Sequence, residues 1–205
     1  TIVSMIAGVY PVSSGKMYIE GQVYSPRNLL NANELGISMI VQEMNTVDDM
    51  TVAENIFLGK ESRFKCGSII SHKKMNNEAN ELLREYGYEG IHAACEISNY
   101  SFEERKLIEL LRATYFNPKL LIVDETTTAL SFEGRQKLLE VINQLKKQGT
   151  AIVIISHDLG EVLSISDRIT VLRDGTHVTT IENKNISEDM LKTLMVGRKI
   201  TDNYY

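Results

Sequence analysis

The feature that most constrains the fold is a pair of short, continuous apolar runs, Leu120–Val123 and Ala151–Ile155, separated by an amphipathic segment over residues 132–147. A strand that is apolar without alternation is typical of a parallel sheet buried on both faces, and parallel neighbours need a helical crossover between them. The sequence therefore predicts an α/β fold built on a mostly parallel sheet. We expect the strands that end at Val41 and Leu172 to join this sheet.

Turn and capping signals organise the rest of the chain. The turn at Glu20-Gly21 predicts a hairpin over residues 17–24, forming a separate antiparallel patch. Thr51 and Ser101 each have a glutamate three residues later, a capping box that predicts the start of a helix. These signals and the apolar spacing predict helices over about 51–58, 74–86, 101–115, 132–147 and 188–196. Residues 1–205 are interpreted as one domain, with a helical subdomain over about 63–115.

Composition narrows the classes of function. The chain has 205 residues, of which 43% are apolar and 24% charged, as in ordinary globular domains. Its net charge of −5 argues against a nucleic-acid partner, which would favour a basic face. No apolar run approaches the roughly 20 residues that span a bilayer. Cys66 and Cys95 lie far apart, which favours reduced cysteines in a cytosolic protein.

The strongest chemical signal is Asp124-Glu125, directly after the first buried apolar run. Ligands of open α/β sheets bind at the carboxyl ends of the strands, so this strand delivers two carboxylates to such an edge. In phosphoryl transfer the first carboxylate can hold Mg²⁺, and the second can orient or deprotonate the attacking water. Taken alone, the pair is equally compatible with a polar start to a loop.

Two further polar residues follow predicted strands. His157 lies just beyond the run Ala151–Ile155, and Gln42 follows the strand Ile37–Val41. A lone histidine at a strand end is more often structural, and a lone glutamine there is usually solvated loop. Next to the Asp124-Glu125 strand, however, both residues would share one edge of the sheet. We therefore expect Gln42, Asp124, Glu125 and His157 to converge.

This succession of Gln42, Asp124-Glu125 and His157 resembles the Q-loop, Walker B and H-loop of ABC ATPases. The resemblance covers essentially the whole chain. Residues 41–45, 51–59 and 167–175 resemble the first ATP-binding half of bacterial ribose and galactose importers. The tail Leu194–Lys199 is the most specific match, because in that subfamily it closes the first half and a second half follows. The implied fold is a P-loop NTPase-like ABC ATPase with a helical subdomain and an antiparallel β patch.

The resemblance also assigns roles and cofactors. It implies ATP and Mg²⁺ as cofactors, with the signature loop of each subunit acting on nucleotide held by the other. The implied catalytic residues are Glu125 and His157, the Mg²⁺ ligands are Asp124 and Gln42, and the nucleotide-binding residues are Thr1, Gln42 and Ser101.

Two departures from the family pattern bear on activity. Thr1 aligns directly after the Walker A consensus G-x-x-x-x-G-K-[ST], so residues 1–205 lack its glycines, lysine and hydroxyl, and the strands before it. We expect the chain to be truncated at both ends and, alone, to bind ATP poorly. In the signature loop, Glu103 and Glu104 stand where the family has glycine and glutamine. Carboxylates there would repel a phosphate.

Three functional readings remain open. The resemblance implies an ATPase subunit on the cytoplasmic face of the membrane that powers monosaccharide import, paired with a second ATP-binding half and membrane permease subunits, and serving a sugar-binding protein indirectly. The alternative is a degenerate, non-catalytic ABC module that binds partner subunits and regulates them. A non-transport ABC protein acting on ribosomes or DNA fits less well, since the chain is acidic and its tail is importer-like.

Overall fold

A computed structural model describes residues 2–197, apart from the side chains of Thr128 and Ala129. These residues form two compact units, which divide between Ile155 and Ser156. The helices of the first unit are α1 (Ile2–Ile6), α2 (Leu29–Glu34), α3 (Val52–Ile56), α4 (His72–Glu85), α5 (Phe102–Thr114) and α6 (Phe132–Lys147). Its strands are β1 (Met17–Ile19), β2 (Gln22–Tyr24), β3 (Ile37–Ile40), β4 (Lys65–Cys66), β5 (Ile69–Ile70), β6 (Leu120–Asp124) and β7 (Ala151–Ile155).

The centre of the first unit is a three-stranded parallel sheet in the order β3-β6-β7. Leu121, Ile122 and Val123 in its middle strand are fully buried, as a strand covered on both faces requires. One face packs against α6, and the other against α1 and the β1–β2 hairpin. The predicted parallel core is therefore confirmed, and so is the separate antiparallel hairpin over residues 17–24.

The region expected to form a helical subdomain contains α4, α5 and the short β4–β5 hairpin. Helices α3, α4 and α5 share one apolar core, whose fully buried members include Ile56, Met75 and Ile108. Both predicted capping boxes are present, with Thr51 capping α3 and Ser101 capping α5. Helix α3 ends at Ile56, earlier than expected.

The second unit contains α7 (Leu159–Ile165), β8 (Arg168–Arg173), β9 (Thr176–Glu182) and α8 (Glu188–Val196). Ile169 and Val171 on β8 pack with Leu191 of α8 in a small apolar core. No helix among residues 2–197 is long and apolar enough to cross a bilayer.

One strand assignment is wrong. The strand ending near Leu172 was expected in the parallel sheet, but β8 pairs antiparallel with β9 in a separate two-stranded sheet. The reason lies in its alternation, because Ile169 and Val171 are buried while Thr170 is exposed. That pattern is typical of an antiparallel sheet with one face open to solvent. The turn at Asp174-Gly175, where both residues have positive φ, then returns the chain directly to β9.

Candidate functional site

The carboxylates Asp124 and Glu125 lie at the carboxyl end of the central strand β6. Asp124 is the last residue of β6 and pairs in register with Ile155 of β7. The backbone N–H of Glu125 donates a hydrogen bond to the carbonyl of Ile155 at 2.9 Å. Glu125 also has a left-handed backbone (φ 47°), which is uncommon for a residue other than glycine. Glu125 therefore begins the loop in a constrained conformation, anchored to the neighbouring strand.

The electrostatics of this strand end suit a cation. Burial raises the pKa of the Asp124 carboxyl, and the adjacent charge of Glu125 raises that pKa further. Two carboxylates that repel each other in a partly desolvated position gain from a divalent ion between or beside them. Carboxylate and amide oxygens are the donors that Mg²⁺ prefers. The donor set of Asp124, Glu125 and Gln42 therefore fits this ion.

The segment that carries Gln42 leaves the sheet beside the two carboxylates. Ile40, the last residue of β3, pairs with Val123, so the chain after β3 passes next to Asp124. Gln42 is exposed two residues further on. The structure thus brings Gln42, Asp124 and Glu125 to the same edge of one sheet, as their positions after parallel strands predict.

Helix α5 holds this segment through two buried charged residues that the sequence did not point out. Lys106 and Glu109 form an ion pair at 2.8 Å, with side chains 1% and 3% exposed. A Lys-x-x-Glu spacing on a helix is usually a solvated surface pair. The available signal was their setting, because both residues are interspersed with the buried apolar residues Leu107, Ile108 and Leu110.

At the start of α5, Ser101 is exposed and acts as the helix cap. Its hydroxyl donates to Glu104 Oε2 at 2.8 Å, and its backbone N–H donates to the same oxygen at 2.8 Å. The carboxylate of Glu103 instead accepts hydrogen bonds from the backbone and hydroxyl of Ser131. The capping role of Ser101 is thus confirmed, while its contact with a nucleotide stays a prediction.

His157 and Thr1 are the two remaining predicted site residues. His157 is exposed and belongs to the second unit, two residues after the end of β7 along the chain. Its convergence with Gln42, Asp124 and Glu125 stays a prediction. Thr1 lies outside the described residues.

An open cavity of about 620 Å³ lies elsewhere in the first unit. Its lining includes Lys119 and Thr150, which directly precede β6 and β7. It therefore sits at the amino edge of the sheet, opposite the carboxylates. Ligands of open α/β sheets bind at the carboxyl edge, so this cavity is not the candidate site.

A parallel sheet with paired carboxylates and a glutamine segment at its carboxyl edge is an arrangement that can hold a phosphorylated ligand and its Mg²⁺. The chain belongs to the ABC transporter family, whose pattern matches residues 1–128. Among its relatives is the ribose import ATP-binding protein RbsA of Lactococcus lactis, 39% identical over 204 residues, which cover 100% of this chain and 41% of that protein.

Other sugar-import proteins are similar to a comparable degree. RbsA of Clostridium perfringens is 36% identical over 204 residues, covering 100% of this chain and 40% of that protein. The galactose/methyl galactoside import ATP-binding protein MglA of the same species is 33% identical over 204 residues, which cover 100% of this chain and 39% of that protein. The chain thus spans about two fifths of the length of these relatives.

Solved structures agree on the fold. An ATP-binding cassette of an ABC transporter superposes with a TM-score of 0.78 at 22% identity, covering 96% of this chain and 81% of that one. A second structure, described as the ADP conformation of such a cassette, gives a TM-score of 0.75 at 21% identity, covering 97% of this chain and 80% of that one. The chain therefore has the ABC ATPase fold.

Proposed function

We propose that this chain is the first ATP-binding half of an ABC importer ATPase that powers uptake of a monosaccharide. The observation that carries the proposal is the position of Asp124 and Glu125 at the end of the buried central strand, next to the segment of Gln42. The sugar-import names of the relatives support the substrate class.

Each residue at the sheet edge has a proposed task. Asp124 and Gln42 would hold Mg²⁺, which when bound neutralises charge on the β- and γ-phosphates. Glu125 orients the attacking water and accepts its proton at a carboxylate oxygen. Its backbone is anchored to β7 by the hydrogen bond to Ile155.

Three further residues complete the proposed site. His157 would act with Glu125 as the second catalytic residue, and Thr1, which follows the Walker A consensus, would contact the nucleotide. Ser101 would act on nucleotide bound by the second half, because in this family each signature loop serves the opposite site.

The proposed setting is the cytoplasmic face of a membrane. There the chain would pair with a second ATP-binding half and with permease subunits, and the sugar-binding protein would act on it only through the permease. The segment Glu43–Asp49 and the helical region near it are the proposed contact with the permease. A helix seated in a groove is the expected mode of this contact.

One observation favours a second candidate, a degenerate, non-catalytic ABC module that binds partner subunits and regulates them. Glu103 and Glu104 occupy the signature positions where the family has glycine and glutamine. Their carboxylates would lie near a phosphate that is itself negative. Under this alternative the site completed by Ser101 would not turn over.

ATP binding tests the proposal. We expect residues 1–205 alone to show no saturable Mg²⁺-ATP binding by calorimetry, since they contain no Walker A motif. The same residues preceded by a segment with G-x-x-x-x-G-K-[ST] should bind one ATP, and Asp124→Asn should weaken binding only when Mg²⁺ is present. An extended protein that binds no ATP with or without Mg²⁺ would overturn the proposal.

A further inference from the structure

We propose that Lys106 and Glu109 are positioning residues that fix Gln42 relative to helix α5, so that the two move as one piece. This inference rests on the proposed function, because it concerns how that site is assembled.

The ammonium group of Lys106 is bound on both sides of Gln42. Lys106 Nζ donates to the carbonyl of Val41 at 2.8 Å and to the carbonyl of Glu43 at 2.6 Å. Its third hydrogen bond goes to Glu109 Oε2 at 2.8 Å. A lysine has three N–H donors, and here two of them bind the carbonyls that immediately flank Gln42. The backbone of Gln42 is thereby held between two fixed points.

Glu109 extends the attachment further along the segment. One carboxylate oxygen accepts from Lys106, and the other accepts from the backbone N–H of Asn45. One turn earlier on α5, Arg105 Nη2 donates to Thr46 Oγ1 at 2.8 Å and pairs with Asp48. The described contacts of this helix face therefore run along residues 41–48.

The pair is better explained by positioning than by stability. A buried ion pair often contributes no more stability than well-packed apolar side chains of similar volume. Apolar replacements would, however, leave the carbonyls of Val41 and Glu43 without the Lys106 donors. The pair instead holds the segment of Gln42 in one defined path. Both residues of the pair lie on α5, the helix whose first residues carry the signature loop.

Hydrogen exchange tests the geometry in the 205-residue chain itself. The double variant Lys106→Met/Glu109→Leu should keep the fold, because both charges are removed together. We expect exchange of the Asn45 amide to become at least about tenfold faster, since its carboxylate acceptor is lost. The control Met75→Ala opens a cavity in the apolar core shared by α3, α4 and α5, whose described members include none of residues 41–45. It should lower global stability and leave exchange of the Asn45 amide by local opening unchanged.

Steady-state kinetics test the consequence in the proposed importer, with a Walker A segment ahead of residue 1 and its permease present. The double variant should lower kcat about 10- to 100-fold, as expected when a positioned group is displaced by an ångström or so. KM for ATP should change less than about threefold, because the phosphates are bound mainly by the Walker A loop. Arg105→Met, which releases Thr46 but not the neighbours of Gln42, should affect kcat less.

The outcomes separate this inference from the proposed function. Unchanged Asn45 exchange, or wild-type kcat in the double variant, would overturn the positioning role. A wild-type importer that hydrolyses no ATP would instead contradict the proposed function, whatever the exchange result. If the double variant fails to fold, Glu109→Gln replaces it. This variant keeps an oxygen acceptor but loses the charge. If the positioning role is correct, it should change Asn45 exchange and kcat in the same direction as the double variant, but less.

Discussion

The carboxylate of Glu103 accepts hydrogen bonds from the backbone N–H and the hydroxyl of Ser131. Ser131 is the N-cap of α6, so the carboxylate lies at the start of that helix, where the helix dipole favours negative charge. Gly134 leaves room for it, because a Cβ there would stand 3.0 Å from Glu103 Oε2. The glutamate at the signature glycine position thus ties α5 to the segment that follows the carboxylates of β6.

This contact gives the signature loop a testable trade-off. In the protein extended by a Walker A segment, Glu103→Gly with Glu104→Gln should strengthen ATP-dependent pairing of the two halves, because both changes remove a carboxylate from beside a phosphate. The free energy of unfolding of the same variant should be lower by about 1 kcal/mol, because the hydrogen bonds to Ser131 are lost. Analytical ultracentrifugation with ATP and urea unfolding without it measure the two effects.

A control variant separates charge from hydrogen bonding at this position. Glu103→Gln removes the charge but keeps an oxygen that can accept from Ser131, so it should retain most of the stability. If the double change leaves pairing and turnover untouched, the loop is not at a nucleotide, and the idea of one degenerate site fails.

The raised pKa of Asp124 predicts that its charged form, which would bind Mg²⁺, lowers the stability of the metal-free chain. A carboxyl whose pKa is raised in the folded state favours its neutral form, so its contribution to stability is present at low pH and is lost as pH rises through the folded pKa. Asp124→Asn should therefore raise the Tm of the metal-free chain at neutral pH, by about 1–3 °C.

The pH dependence provides the check. The gain from Asp124→Asn should shrink as pH falls through the folded pKa and vanish below the unfolded pKa, because the wild-type carboxyl is then neutral in both the folded and the unfolded state. Thermal unfolding from pH 7 down to about pH 3 measures this. A gain that is equal at every pH would mean that burial and the charge of Glu125 are not its cause.

The proposed permease contact can be tested at Met44. This side chain is half-buried in the segment after β3, two residues beyond Gln42. A helix seated in an apolar groove would be repelled by a carboxylate there, so Met44→Glu should weaken co-purification of the importer with its permease at least about tenfold. Met190→Glu, an exposed methionine on α8, is the matched control and should have little effect. Retention of the permease by Met44→Glu would place the groove elsewhere.

The sequence predicted most where local chemistry decides the structure. Helices α6 and α8 begin and end at the predicted residues, because Ser131 and Ser187 cap them and Gly149 and Gly197 follow them. The parallel core was predictable from its unbroken apolar runs. Strand β8 was assigned to the wrong sheet. Its alternation of exposed and buried residues rests on Thr170 alone, and over so few residues an alternating strand is easily mistaken for a fully buried one.

At the candidate site, strand ends were predictable and side-chain networks were not. Gln42, Asp124 and Glu125 share one edge because parallel strands end together. The ties of Lys106 to the segment after β3, and of Glu103 to Ser131, link residues far apart along the chain. The local pattern could indicate that Lys106 and Glu109 are buried, but only the packing of α5 against distant segments determines which groups they bind.

The central claim is that Glu125 acts on water at an ATP site completed by a Walker A segment. The most direct test is the ATP hydrolysis rate of the importer carrying that segment, compared with its Glu125→Gln variant. We predict that residues 1–205 alone show no turnover, that the importer hydrolyses ATP, and that Glu125→Gln lowers kcat at least about 100-fold while ATP still binds. Wild-type turnover by Glu125→Gln, or ATP hydrolysis by residues 1–205 alone, would contradict it.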